Sequence, residues 1–162
     1  MPKNILLLED DPQQAETFQR KLRTRYSGAT VEHMESEWEL YEFVEKIRRG
    51  EAVPPDVVVA DVMMPWVIAT PNPPPVPEAV EQSGYSEAGV RCLKRFRQHI
   101  NVPVPWVLFT CRDPKALWEE IKDLKDAVKT AVLNKEQPLK ELFQEIDNLC
   151  GMGEKTDKKE TD

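Results

Sequence analysis

Short apolar runs alternate along this chain with longer stretches that carry apolar residues at every third or fourth position, and no other feature constrains the fold as much. "NILLL" (residues 4–8) and "VVVA" (57–60) are continuous apolar runs, too short for buried helices and without the polar alternation of a half-exposed strand. Strands of that composition need cover on both faces, the condition of a parallel sheet between two helix layers. "ATVEHM" (29–34) reads as a second, more exposed strand, "VPWVLFT" (104–110) as a fourth and "TAVLN" (130–134) as a fifth.

Helix starts are marked between these runs. Asp11 before Pro12 and Asp113 before Pro114 pair a capping carboxylate with a proline at the first helical position. Ser36 and Glu39 have capping-box spacing. The buried stripes are Ala15, Phe18 and Leu22; Leu40, Val44 and Ile47, closing at Gly50; Val90, Leu93 and Phe96; Leu117, Ile121, Leu124 and Val128; and Leu139, Leu142, Phe143, Ile146 and Leu149. Five strand and helix pairs of roughly 30 residues each predict an α/β fold. It is a right-handed, doubly wound five-stranded parallel sheet of the flavodoxin-like kind, strand order 2-1-3-4-5, with helices on both faces.

At 162 residues the chain has room for one domain with a proper core. Its net charge of −7, with no basic arm to offset it, argues against direct contact with nucleic acid and suits a basic partner or a bound cation. Cys92, Cys111 and Cys150 are odd in number and lack CxxC spacing, so neither a disulfide framework nor a zinc site is expected. "MPKNILLLEDD" is too short an apolar stretch for a signal peptide or membrane span, which predicts a soluble, cytoplasmic protein with no membrane insertion. Two segments exceed a minimal fold. "PWVIATPNPPPVPEAVEQSGY" (65–85) holds Pro65, Pro71, Pro73, Pro74, Pro75 and Pro77 and reads as a proline-rich insertion over 66–85, stiff around residues 73–77. The tail, 151–162, has almost no apolar content and is expected to be disordered.

In a parallel sheet the carboxyl ends of the strands share one rim, where ligands bind. The first strand ends in Glu9 and Asp10, the third in Asp61, the fourth in Thr110 and the fifth in Lys135. Three close carboxylates repel unless a cation sits among them, and an open all-oxygen cluster suits Mg²⁺.

The pieces "ILLLEDDP", "PDVVVADVMMP", "VPWVLFTCRD" and "AVLNK" stand in the order and near the spacing of the receiver domain of bacterial two-component response regulators. The chain resembles that family over roughly residues 3–150, which implies a receiver domain over residues 1–150. The resemblance implies that Asp61 is the phosphoacceptor, that Asp10 and Asp61 are carboxylate ligands of Mg²⁺, that Glu9 acts through a metal-bound water and that Met63 lends its carbonyl. It implies that Thr110 and Lys135 bond the phosphoryl oxygens, and that a sensor histidine kinase or histidine phosphotransfer protein is the donor. The output would be altered contact with a further protein, and the chain would be no enzyme beyond its own phosphorylation and dephosphorylation.

Three departures stand out. Glu136 follows Lys135 where the family has proline, Val132 stands where the family has an aromatic switch residue, and the insertion begins beside Asp61. They keep a second reading open, a phosphorylation-independent interaction module. A phosphatase of the aspartate-nucleophile type is disfavoured, because Val62 and Met63 follow Asp61 and no second acid stands two positions on. Trp66, Trp106 and Trp118 read as packing residues, with Trp66 placed to shape access to the site. His33 and His99 show no ligand spacing.

Overall fold

The computed structural model describes residues 1–124 and 129–151. Its five strands are β1 (Asn4–Leu8), β2 (Thr30–Met34), β3 (Val57–Ala60), β4 (Trp106–Thr110) and β5 (Thr130–Asn134). All pair in parallel in the order β2-β1-β3-β4-β5. The helices are α1 (Pro12–Arg25), α2 (Glu37–Arg48), α3 (Glu78–Ser83), α4 (Ala88–His99), α5 (Pro114–Ile121) and α6 (Leu139–Leu149). A single 3₁₀ turn, Tyr85–Glu87, leads into α4.

Alternate residues of the central strands enter opposite cores, which explains why β1, β3 and β4 lack polar positions in their centres. Leu6, Leu8, Val58, Ala60, Trp106 and Leu108 pack with Leu40 and Val44 of α2, Leu93 and Phe96 of α4, and Leu117 and Ile121 of α5. Ile5, Leu7, Val57, Val59, Val107 and Phe109 pack with Phe18 and Leu22 of α1 and with Leu142 and Ile146 of α6. The Phe18 ring meets Phe109 edge-on at 5.4 Å, and Phe96 meets Trp106 likewise at 5.6 Å.

The caps form as the sequence leads one to expect. Asp11 accepts from the amides of Gln13 and Gln14, Asp113 from that of Lys115, and Ser36 from that of Glu39, whose carboxylate in turn accepts from the Ser36 hydroxyl. Local differences remain. β4 starts at Trp106, because the alternating prolines Pro103 and Pro105 withhold ladder amides just before it. α5 ends at Ile121, with Leu124 in the following turn; Val128 and the tail from residue 152 lie outside the described residues. Trp118 is exposed on α5 rather than packed.

The insertion is more structured than its prolines suggest. The Pro65 and Trp66 carbonyls accept from the first free amides of α2, Glu37 N–H at 3.0 Å and Trp38 N–H at 2.8 Å. Trp66 is buried edge-on against Trp38 and Tyr41. After the proline run α3 forms, with Val80 buried, and it ends at Gly84, whose φ of +72° favours glycine. No helix among the described residues is long and apolar enough to cross a membrane.

Candidate functional site

The sheet ladder extends one residue past the strand ends and thereby sets the rim residues side by side. Glu9 N–H donates to the Met34 carbonyl at 3.0 Å, Asp61 N–H to that of Leu8 at 2.9 Å, and Lys135 N–H to that of Thr110 at 2.8 Å. Leu8 pairs with Ala60 and Ala60 with Leu108, so Glu9 and Asp61 leave neighbouring strands at one level while β4 runs two residues further to Thr110.

The side chains then converge. The Lys135 ammonium donates to Glu9 Oε2 and Asp61 Oδ2, both at 2.7 Å, and to Gln14 Oε1 at 2.9 Å. All three charged groups are largely withdrawn from water: Lys135 and Asp61 are 10% exposed and Glu9 2%. One oxygen each of Glu9, Asp10 and Asp61 lies within 4.8 Å of the others. Hard oxygen donors in that number, open on one side, fit Mg²⁺. Asp61 Oδ1 accepts from the Met63 amide at 3.1 Å, which places Met63 beside the acceptor carboxylate. Thr110 is fully buried, its hydroxyl oxygen accepting from the Arg112 amide at 3.2 Å.

Burial sets the electrostatics. It pushes Glu9 above the usual carboxylate range, against the pull of the Lys135 ammonium and with a further push from Asp61. Burial would lower Lys135, but its hydrogen bonds to Asp61 and Glu9 outweigh that and hold it above the ordinary lysine value. The ammonium is thus charged at any physiological pH and neutralises a carboxylate pair that would otherwise repel.

Sequence reasoning brought together Glu9, Asp10, Asp61, Thr110 and Lys135, and the structure gathers all five at one end of the sheet. It also adds groups that sequence reasoning missed. Gly89, in the first turn of α4, donates its amide to the Val62 carbonyl at 2.8 Å. A Cβ there would stand 2.5 Å from the Asp61 carbonyl oxygen and 2.6 Å from Val62 Cα, so only glycine lets α4 abut the end of β3. His33 Nε2 lies 2.7 Å from the Glu9 carbonyl oxygen, where its protonated tautomer donates. Tyr85 donates its hydroxyl to Asp10 Oδ2 at 3.3 Å. Its partial desolvation and the charge of Asp10 both hold the phenol protonated. The residue of the insertion that reaches the pocket is therefore Tyr85, and Trp66 packs against α2 instead of shaping access. A lone tyrosine inside a proline-rich segment carries no signal that could have singled it out.

No family profile and no curated protein matches the chain in sequence. Solved structures do match its fold. A putative response regulator from Chloroflexus aurantiacus J-10-fl superposes with a TM-score of 0.62 at 22% identity, covering 93% of this chain and 99% of that one. The signal receiver domain of a signal transduction histidine kinase from Syntrophus aciditrophicus gives 0.62 at 20% identity, over 96% of both chains. The phosphorylated cyanobacterial phytochrome response regulator RcpA gives 0.63 at 16% identity, over 92% of this chain and 91% of that one.

Proposed function

We propose that this chain, which has the receiver fold of response regulators, is a receiver over residues 1–150 that takes a phosphoryl group on Asp61 and signals through altered protein contacts. The observation that carries the reading is the Asp61 carboxylate at the end of β3, gripped by the Lys135 ammonium at 2.7 Å beside two further acids. Fold likeness alone would not do so, since one fold hosts many functions.

Asp61 Oδ attacks phosphorus in line, an acyl phosphate bond forms, and the bond from phosphorus to the donor breaks with its electron pair leaving on the donor. Glu9, acting through a water, together with Asp10, Asp61 and the Met63 carbonyl would hold Mg²⁺, which when bound supplies neutralisation of charge on the transferring oxygens. Lys135 holds the Asp61 carboxylate aimed before the reaction, and afterwards pairs with a phosphoryl oxygen. Thr110 exchanges its Arg112 amide for a phosphoryl oxygen, to which its hydroxyl donates. That exchange moves the loop after β4 and changes the surface a partner meets. The donor fits a sensor histidine kinase or histidine phosphotransfer protein in the cytoplasm.

One feature favours the phosphorylation-independent module as second reading: Val132, the switch position of the resemblance, is aliphatic and half-buried. Intact mass after incubation with acetyl phosphate and Mg²⁺ separates the two. A phosphate adduct on this chain and none on Asp61→Asn is the expected result. A folded protein that takes no phosphate from acetyl phosphate or phosphoramidate is the result that favours the module.

A further inference from the structure

This inference rests on the reading of the acidic pocket as a Mg²⁺ site. The insertion is fastened at both ends. At its start, the Pro65 and Trp66 carbonyls lock onto α2 and Trp66 is buried against Trp38 and Tyr41. At its far end, Arg91 of α4 donates to the Ser83 hydroxyl at 2.7 Å and to the Gly84 carbonyl at 2.8 Å, while the same guanidinium holds the buried Glu37 carboxylate through two bonds of 2.8 Å. One turn later Glu87 is paired with Arg112 at 2.8 Å.

Tyr85 sits between these two arginine anchors, turned by the positive φ of Gly84, with its hydroxyl 3.3 Å from Asp10 Oδ2. Asp10 stands at the open side of the pocket, less buried than Glu9. A carboxylate there has rotamers to lose when a cation binds, and a hydrogen bond from outside the ligand set removes that freedom beforehand.

We propose that the insertion is a collar that delivers Tyr85 to the pocket as a positioning residue for Asp10, pre-setting the carboxylate for Mg²⁺. The collar is tied to the switch as well. The Arg112 amide rests on Thr110 Oγ1, and its side chain holds Glu87. Movement of Thr110 toward a phosphoryl group therefore pulls on the turn that carries Tyr85.

The test is isothermal titration of the full chain with Mg²⁺ alone, without phosphodonor. Tyr85→Phe keeps the exposed ring and removes only the hydroxyl; it is expected to bind Mg²⁺ about 10-fold more weakly, with an unchanged melting temperature in chelator. Glu87→Gln, which loosens the collar without touching the pocket, is expected to weaken binding in the same direction. Affinity in Tyr85→Phe equal to or tighter than that of the parent overturns the positioning role, and parental affinity in Glu87→Gln overturns the collar as its means. A parent chain that binds no Mg²⁺ has a different signature, and it removes the reading of the site together with this inference.

Discussion

Among single residues, Gly89 is held to the narrowest choice. Backbone atoms of Asp61 and Val62 occupy the place of its missing Cβ, and backbone cannot swing aside as a side-chain tip can. Gly89→Ala should therefore cost about 1–3 kcal/mol by overpacking, read as a lower urea midpoint, and should slow phosphorylation by shifting Asp61. Lys135 gives a pH-dependent expectation. Glu9 has a raised pKa in the fold, so its protonation contributes stability that is fully present below the unfolded carboxylate value and lost as pH rises through the folded one. Lys135→Met removes the cation that offsets this and raises Glu9 further. Urea denaturation should show the variant most destabilised relative to the parent at neutral pH, the gap narrowing as the pH falls and Glu9 takes up its proton. A gap that does not depend on pH would show that the ammonium acts by packing alone. Asp61, Lys135 and the two acids were legible in sequence because each ends an apolar run, and strand ends share a rim. Gly89 and Tyr85 were not, since their roles arise from the approach of elements that local pattern does not encode.

Between elements, α2 and α4 are joined by a buried ion pair. Glu37 is completely buried, accepts two bonds from Arg91 and one from the Tyr41 hydroxyl at 2.8 Å, and so ties both helices and the insertion's end together. Removing one partner of such a pair strands the other. Glu37→Ala is expected to lose about 3–5 kcal/mol in chemical denaturation, whereas Ser36→Ala, which removes only a cap, should lose about 1 kcal/mol. The capping box at Ser36 and Glu39 was readable from spacing. The Glu37 to Arg91 bridge was not, because a glutamate in the first turn of a helix has an ordinary explanation in the helix dipole. The proline run misled in a similar way: it describes the middle of the insertion and says nothing of the aromatic cluster at one end or α3 at the other.

For the molecule as a whole, the strand order and the division into two cores were legible because parallel sheets leave a continuous apolar signature, and right-handed crossovers allow few arrangements. The β5 strand completes this arrangement and carries the cation of the site. Lys135 closes its ion pair with Glu9 across 126 residues of chain. During synthesis the acids at the ends of β1 and β3 emerge long before their counter-charge, and until β5 docks they repel one another with only solvent between them. The pocket gains its counter-charge only when β5 pairs with β4. Any state of the chain in which β5 is detached leaves Glu9 and Asp61 without the cation they share, so this one ammonium reports whether the far edge of the sheet is in place.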